Sequence, residues 1–358
     1  MRRLAKQTLA VCVYYSGILK FIDWLFVQFT GHREPRVLMY HRVISDPFAA
    51  TEFTQPGISV STRTFEKQIK YLKKRFRIVS TAEHREFLKA ISADKEPRVV
   101  ITFDDGWRDN LENAYPILKS SAASATIFVC SDFVGTKLKF WFHSIGYYVL
   151  KGKITVETIN GILNGITHEQ AQSLSARLSD RELVDQLLAR AKSLSPDQVE
   201  LLIQRLKEIS GLNDPEWNDH AFVADWNSLR HLDPNVITIG SHGCSHKLLT
   251  AVSSAEAAAE IGESKTKIES ELGRNVESFA YPNGDYDDNI KSLVAAAGYG
   301  SAYAVGENQP SKDRFAIGRI GIHEGSSLGV GNKFSRAIFA MQLSPAIRKL
   351  NSRKQSGY

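Results

Sequence analysis

The sequence predicts an α/β protein, and two features of the chain lead to this prediction. From Arg36 onward, short apolar runs alternate with amphipathic stretches that have helical spacing. Several of these runs are rich in β-branched residues and show no polar alternation, which is typical of parallel strands buried on both faces. About eight such runs occur, and this number of strands is enough to close a barrel.

The predicted strands are spread over most of the chain. They are residues 37–40, 77–80, 98–103, 125–129, 236–239, 278–281, 302–305 and 317–322. Amphipathic helical stretches stand between them, and the clearest cover residues 64–75 and 254–272. Ser253 with Glu256 gives the second stretch a start signal, and Gly273 can close it.

Between Phe140 and Asp225 the strand pattern stops and only helices are predicted. Helix starts are indicated by pairs with capping-box spacing, namely Thr167 with Gln170, Ser179 with Glu182, and Ser195 with Gln198, which is followed by Pro196. We therefore predict an all-helical insertion, residues 140–225, within a barrel domain of residues 34–330. The insertion either covers one side of the barrel mouth or packs outside the barrel.

The N-terminal segment, residues 1–33, contains the only apolar stretch long enough to span a bilayer, residues 9–29. Lys20 and Asp23 interrupt it, and each charge costs about 2.5 to 3.5 kcal/mol near the bilayer centre. No small-residue cleavage site follows. We expect a helix in the membrane interface, with Trp24 at headgroup depth. A helix packed on the domain and an uncleaved anchor are the alternatives.

The composition is that of a globular protein, with 43% hydrophobic and 23% charged residues among 358. The net charge of +6 comes partly from basic residues at the chain ends, including the predicted basic tail, residues 331–358. This favours contact with an anionic surface over binding of nucleic acid by the body of the protein. The three cysteines stand far apart, so a disulfide scaffold is not expected. We expect a cytoplasmic protein or one peripheral on the inner face of the membrane, with a membrane-anchored protein facing the periplasm as the alternative.

Two adjacent carboxylates, Asp104 and Asp105, directly follow the apolar run that ends at Phe103. A β/α barrel builds its active site at the carboxyl ends of its strands, where both side chains are placed. Neighbouring carboxylates repel each other, and a metal removes this cost if one carboxylate binds it while the other stays free as a base. A solvated Asp-Asp-Gly turn is the alternative.

Two histidines, His242 and His246, follow another predicted strand. Imidazoles four residues apart converge on one ion if the segment turns helically. Together with one aspartate they supply a three-ligand set that leaves positions open for water and substrate. Cys244, between them, is expected to pack, because a helical turn points it away from both. A chance pair among ten histidines is the alternative.

The loop after a third predicted strand holds Pro282 and Gly284 at turn positions. Such a tight loop leaves a backbone N–H, that of Asn283, to face an oxyanion. Tyr281 and Pro282 are candidate substrate contacts. An ordinary strand-to-helix turn is the alternative.

With these three sites, the chain resembles the polysaccharide deacetylase family, which has the NodB-homology domain of carbohydrate esterase family 4. The resemblance runs from about residue 37 to residue 322 outside the insertion. Thr-Phe-Asp-Asp-Gly at residues 102–106 matches the family's first motif in full. The likeness implies a distorted (β/α) barrel of about seven strands. It also implies Asp104 as general base, with Asp105, His242 and His246 as metal ligands.

Two positions depart from the pattern of the family. Its third motif usually carries an Arg that orients the base, and Ala280 stands there. Arg319 is a candidate substitute, with a structural role as the alternative. The late motif that supplies the general acid is matched in part by Gly-Ile-His at residues 321–323, which makes His323 the candidate acid. His41, after the first strand, is a candidate substrate contact, with a core or surface histidine as the alternative.

The resemblance implies metal-dependent hydrolysis of an N-acetyl group on an amino-sugar unit of a polysaccharide or lipid-linked saccharide. Zinc suits one carboxylate and two imidazoles best, with cobalt and nickel as alternatives. O-deacetylation by the same site and a catalytically silent glycan-binding protein are the alternative functions. A glycoside hydrolase is disfavoured, because its paired carboxylates stand about 5 to 9.5 Å apart across the scissile bond.

Overall fold

The computed structural model describes residues 2–30, 35–49, 56–89, 96–167, 174–175, 178–213, 223–306 and 313–355. The strands are β1 Arg36–Tyr40, β2 Arg42–Ile44, β3 Ser59–Ser61, β4 Arg77–Ile78, β5 Arg98–Phe103, β6 Ala125–Val129, β7 Ile237–Ser241, β8 Ser278–Ala280, β9 Ser301–Val305 and β10 Ile317–Gly321. The α-helices are α1 Arg2–Tyr15, α2 Ile18–Thr30, α3 Thr62–Arg75, α4 Thr81–Lys89, α5 Tyr115–Ser120, α6 Trp141–Gly152, α7 Val156–Thr167, α8 Asp180–Ala191, α9 Pro196–Ser210, α10 Trp226–Arg230, α11 Ser254–Leu272, α12 Asp288–Ala296, α13 Arg336–Leu343 and α14 Pro345–Gln355.

Seven parallel strands close a barrel in the order β1, β5, β6, β7, β8, β9, β10, and β10 returns to β1. Strand β1 closes the ring because all five of its residues pair with β5, while Leu38 and Met39 pair with β10. The predicted α/β barrel of about seven strands is confirmed.

The strand predicted at residues 77–80 does not enter the ring. Only Arg77 and Ile78 form it, and they pair with the first two residues of β5, whereas β6 pairs with the last two. One edge of β5 therefore pairs with β4 at its start and with β6 at its end. Strands β2 and β3 form a separate parallel pair that the sequence pattern did not predict.

Side chains of the ring strands alternate between the barrel interior and the surrounding helices, as the two-residue period of a strand requires. One buried cluster takes a residue from each of six ring strands, and it fills the interior: Val37, Val100, Phe128, Ala280, Tyr303 and Ile317. The alternating neighbours, such as Leu38 and Ile101, join the main cluster with the apolar face of α3. All six residues of β5 are buried, which explains its continuous apolar sequence.

The predicted helical insertion contains α6 to α9, which pack around a cluster of buried side chains separate from that of the barrel. Ser179 and Ser195 cap α8 and α9 with full capping boxes, as predicted. The prediction for Thr167 was wrong, because this residue ends α7 and its hydroxyl donates to the Leu163 carbonyl. Gln170, its predicted partner, lies outside the described residues.

The N-terminal apolar stretch forms two helices where we predicted one, and its location in the membrane interface stays a prediction. Helices α1 and α2 meet at a 74° bend. Gly17 lies at this bend with a φ of +81°, a left-handed conformation that glycine adopts readily. No single helix in the described ranges has the length and apolarity to cross a bilayer, whereas the bent pair taken together meets both criteria.

The two N-terminal helices also pack on the C-terminal segment. Ala10 and Leu19 are buried, α1 lies against α13, and α2 lies against α14. The Ser344 hydroxyl donates to the Asp23 carboxylate and joins α2 to this segment. The predicted basic tail, residues 331–358, thus contains the packed helices α13 and α14. Phe339 of α13 is fully buried in the main core.

We predict that Phe339→Ala lowers the free energy of unfolding by about 3 to 5 kcal/mol, because it leaves a cavity in the core. Chemical denaturation of the full chain measures this change. Leu350→Ala is the control, since Leu350 is 57% exposed and its truncation is expected to change stability by about 0.5 kcal/mol or less. Equal losses for the two variants would contradict the packing of α13.

Candidate metal and catalytic site

The predicted site residues lie on loops at the carboxyl ends of four ring strands. Asp104 and Asp105 follow β5, His242 and His246 follow β7, residues 281–284 follow β8, and His41 follows β1. These strands run parallel in one closed sheet, so their carboxyl ends open at the same mouth.

Asp105, His242 and His246 converge as the sequence predicted. The Oδ1 atom of Asp105 lies 3.7 Å from Nε2 of His242 and 3.6 Å from Nε2 of His246. The three ligand atoms all lie within 4.8 Å of one another, and the three residues are buried. This geometry leaves room for one ion among one carboxylate and two imidazoles.

Convergence depends on left-handed backbone rather than on the helical turn that we expected between the histidines. His246 has a φ of +58° and Asp105 a φ of +73°, conformations that cost energy outside glycine. Gly106 follows with a φ of +75°, and a Cβ at this position would lie 2.8 Å from the Val129 side chain. Cys244 is buried as expected, and its Sγ lies against the Glu260 carbonyl.

The donor set fits a divalent cation. Within the described part of the chain, Asp105 Oδ1 and His246 Nδ1 are buried without a hydrogen-bond partner. Burial and the neighbouring charge of Asp104 raise the pKa of Asp105 to about 8. A cation at Oδ1 would offset both effects. The other oxygen, Oδ2, accepts a hydrogen bond of 2.9 Å from the Trp107 indole.

The two imidazoles are suited to act as neutral ligands. Burial lowers the pKa of His242, and it lowers that of His246 well below the usual range. Nδ1 of His242 lies 2.8 Å from the Ala280 carbonyl oxygen. Donation from Nδ1 to this oxygen leaves the Nε2 lone pair directed at Asp105.

Asp104 has different hydrogen-bond partners from Asp105. Nη1 and Nη2 of Arg319 donate to its two oxygens at 2.6 and 2.8 Å, and Arg319 is 1% exposed. Burial raises the pKa of Asp104, but the charges of Arg319, His242 and His41 and the Arg319 hydrogen bonds together outweigh this effect, and the pKa falls to about 2. Arg319 comes from β10 and supplies the pairing that Ala280 cannot make. Arg319 therefore pairs with the predicted base, as the first of its two alternatives proposed.

His41 lies close enough to the site for the charges of Asp104, Arg319 and His242 to act on its ring. Burial lowers the pKa of His41 to about 4, and the charge of Asp104 acts against this effect. Nδ1 of His323 instead accepts the Gly325 N–H at 3.2 Å and caps a short 3-10 helix, residues 324–327. The charge that acts on His323 is that of its neighbour Glu324. The role of His323 as the general acid stays a prediction, and its Nδ1 atom is already engaged in the helix cap.

The loop after β8 is tight, as predicted, and Asn283 in it has a φ of +60°. Tyr281 is fully buried, stacks on Tyr286, and donates from its hydroxyl to the Phe315 carbonyl at 2.8 Å. Tyr281 therefore belongs to the core, and its prediction as a substrate contact was wrong. Pro282 is buried beside the histidine loop.

The helical insertion reaches the site from one side. Rings of Phe140 and Phe142 lie with their centroids 5.5 and 5.7 Å from that of His246. The ring of His143, in α6, lies 5.8 Å from that of Trp107. The insertion therefore covers one side of the barrel mouth, which is the first of the two alternatives predicted for it.

Sequence reasoning missed Glu260, which holds the histidine loop from α11. This carboxylate is 6% exposed and accepts the N–H groups of Cys244 and Ser245, both at 2.9 Å, and also the Ser245 hydroxyl. A glutamate on the apolar side of an amphipathic helix is the signal that could have revealed it. Burial of a charged group costs free energy unless it is hydrogen-bonded, so such a residue has a partner to hold.

A second missed group fixes the segment after β1. The Arg42 guanidinium donates to Asp109 at 2.9 Å and lies 4.7 Å from the Trp107 ring centroid. Asn110 donates to the His41 carbonyl at 2.7 Å. Because Trp107 also donates to Asp105, these contacts join His41 to the candidate metal ligand.

Comparison with known proteins agrees with this geometry. The family model described as polysaccharide deacetylase matches residues 92–186 and 204–302. The YxkH protein of Bacillus subtilis (strain 168), whose name places it among the polysaccharide deacetylases, is 32% identical over 142 residues, which are 38% of this chain and 47% of the relative. The chain thus spans about half the length of this relative.

Solved structures share the fold at low sequence identity. The Streptococcus pyogenes deacetylase PplD, solved with acetate, has a TM-score of 0.55 and 16% identity, covering 87% of this chain and 99% of its own. The polysaccharide deacetylase BC0361 from Bacillus cereus has a TM-score of 0.52 and 17% identity, covering 87% and 69%. IcaB from Ammonifex degensii has a TM-score of 0.51 and 16% identity, covering 82% and 94%.

We predict that Glu260→Ala lowers the affinity of the site for Zn²⁺ by about 10- to 100-fold, the usual effect of losing a group that orients metal ligands. Competition with a chromophoric chelator measures this affinity. Glu256→Ala is the matched control, because Glu256 lies on the same helix and its carboxylate pairs with Lys247 instead. An unchanged affinity in Glu260→Ala would show that the loop does not need this support.

Proposed function

Because the chain belongs to the polysaccharide deacetylase family, we propose that it is a metal-dependent hydrolase of N-acetylated amino-sugar units in a polysaccharide or lipid-linked saccharide. One observation carries this proposal: two adjacent buried carboxylates have different partners. Asp104 is paired with Arg319, whereas Asp105 directs a buried oxygen without a hydrogen bond toward two imidazoles. One loop thus supplies both a base and a cation ligand.

Asp105, His242 and His246 would hold the ion, with zinc as the best fit and cobalt or nickel as alternatives. When bound, such an ion polarises the acetyl carbonyl and lowers the pKa of a water molecule. Asp104 accepts the proton of the water that attacks the carbonyl carbon. Arg319 keeps this carboxylate ionised and fixes both of its oxygens, so that its orientation is set before substrate arrives.

The remaining steps need a donor for the oxyanion and a donor for the leaving nitrogen. We assign the Asn283 N–H to the oxyanion, because its loop adjoins the Ala280 carbonyl that orients His242. As the carbon–nitrogen bond breaks, acetate forms and the amine takes up a proton. We assign this proton transfer to His41 in place of His323, because the negative charge of Asp104 acts on its ring and favours the protonated form against the effect of burial.

The proposed partner is the carbohydrate, which would enter the mouth beside Phe142 and contact Pro282. We also propose that the chain works at a membrane surface. Supporting this, α1 and α2 expose several large apolar side chains, among them Leu9 at 63% and Phe29 at 86%. A peripheral position on the inner membrane face is the proposed location, and an anchored position facing the periplasm is the alternative.

Acetate release tests the proposed reaction. The purified chain, loaded with Zn²⁺, is incubated with N-acetylated glucosamine oligomers and, separately, with O-acetylated saccharides. We expect acetate and free amine from the first set, and loss of both with a chelator. Release from O-acetylated substrates alone would contradict N-deacetylation. No release from any saccharide, despite a bound ion, would favour a glycan-binding protein.

We predict that Asp104→Asn keeps the ion while turnover falls by about 10² to 10⁴, the usual contribution of a general base. Asp105→Asn should instead lose the ion and the activity together. Elemental analysis and acetate release measure the two properties, and circular dichroism checks that both variants fold. If Asp104→Asn is the variant that sheds the ion, the two roles are assigned the wrong way round.

We predict that His41→Gln lowers turnover by about 10² or more, because proton donation to the leaving nitrogen is lost. His323→Gln is the matched control, and its turnover should stay near that of the native chain. Bound metal, measured in parallel, should be unchanged in both. A large loss in His323→Gln with normal turnover in His41→Gln would restore the assignment first made from the sequence.

A further inference from the structure

A cavity lies at the opposite end of the barrel from the candidate active site. It has a volume of about 940 Å³. Arg36 at the start of β1 and Arg98 at the start of β5 line it, and so do side chains of α2, α13 and α14. Asp104 follows the last residue of β5, a strand of six residues, so roughly 20 Å separate the two sites. The proposed deacetylation does not use this cavity.

The lining of the cavity is strongly cationic. Among the described residues, seven basic side chains contribute to it, against the two carboxylates of Asp23 and Glu96. The basic residues are Lys20, Arg36, Arg75, Arg98, Arg336, Arg348 and Lys349. One of the two carboxylates, Asp23, already accepts a hydrogen bond from Ser344. The excess of positive charge therefore complements an anion.

Arg36 is fixed by two contacts inside the cavity. Its Nε donates to the Leu343 carbonyl at 2.7 Å, and its guanidinium lies 4.9 Å from the centroid of the Phe76 ring. Burial lowers the pKa of Arg36, the charge of Asp23 opposes this effect, and the charge of Arg348 adds to it. Two guanidinium groups from different elements thus repel each other inside one cavity. A bound anion would relieve this repulsion.

The outer edge of the same cavity is aromatic and apolar. On α2, Ile18, Phe21 and Trp24 are 48%, 59% and 54% exposed, and the rings of Phe21 and Trp24 stack with centroids 5.9 Å apart. Their spacing of three residues places them on one side of the helix. Trp24 also lines the cavity. An apolar surface thus adjoins a basic cavity, an arrangement that suits a molecule with a charged head and apolar chains.

We propose that this cavity binds the phosphate headgroup of an anionic phospholipid while α2 lies in the membrane interface. The basic lining receives the phosphate, and the exposed side chains of α2 enter the acyl boundary. In this orientation the mouth of the barrel faces away from the bilayer. The inference goes beyond the proposed reaction, since it uses none of the metal or catalytic residues.

Vesicle flotation of the full chain tests the proposal. We expect binding to phosphatidylcholine vesicles that contain phosphatidylglycerol, weak binding to phosphatidylcholine alone, and weaker binding at higher salt. Arg348→Gln with Lys349→Gln should lower partitioning about 30-fold, because each basic residue near an anionic surface contributes about 1 kcal/mol. The control pair is Lys151→Gln with Arg205→Gln, which removes two exposed charges from the helical insertion. This pair should leave binding unchanged.

A soluble probe tests the cavity itself. Short-chain phosphatidylglycerol below its micelle concentration should bind one molecule per chain in calorimetry, and the Arg348 and Lys349 pair of substitutions should abolish this binding. Ile18→Ser with Phe21→Ser should reduce flotation while leaving the soluble lipid bound, because both side chains are exposed on α2 and neither lines the cavity.

Three results would overturn the proposal. The control pair could lose as much binding as the cavity pair, phosphatidylcholine alone could bind equally well, or inorganic phosphate could bind as tightly as the short-chain lipid. Acetate release, measured on the same variants, should stay normal, so failure of this proposal and failure of the proposed reaction are distinguishable.

Discussion

The site depends on two neighbouring carboxylates that share one loop and yet have different partners. Asp104 and Asp105 are both almost fully buried, and two unpaired charges there would be costly. Arg319 reaches Asp104 from another strand with both of its terminal nitrogens, so one charge is neutralised inside the protein. Asp105 turns the other way through its left-handed backbone and faces the histidines. Both partners are available because the barrel closes and brings β7 and β10 to the same mouth as β5.

The sequence predicted the elements whose signals are local. Ring strands were recognised because residues buried on both faces leave continuous apolar runs, as in β5. Asp105, His242 and His246 were found because parallel strands end at one mouth and these ligand types follow directly. The helix starts at Ser179 and Ser195 were predicted because the capping box lies within four residues. Thr167 has the same spacing but lies within α7, so this spacing alone does not identify a helix start.

Features that depend on long-range pairing were not predictable in the same way. The sequence offered Arg319 as a candidate partner of Asp104 but did not decide between this and a structural role, because the pairing joins residues 215 positions apart. Glu260 holds a loop from another helix, and His41 approaches the site only because β1 closes the ring. His323 resembled the expected acid in sequence, but its ring is used as a helix cap. Gly17 is a local signal for the bend between α1 and α2, but the packing of α1 on α13 and of α2 on α14 joins segments far apart in the sequence.

Anomalous diffraction from crystals soaked in Zn²⁺ tests the central claim most directly. The account predicts one strong peak within coordination distance of Asp105 Oδ1, His242 Nε2 and His246 Nε2. Arg319 should remain paired with both oxygens of Asp104 in the same crystal. A zinc ion bound to Asp104, with Arg319 displaced from it, would contradict the division of roles between the two carboxylates.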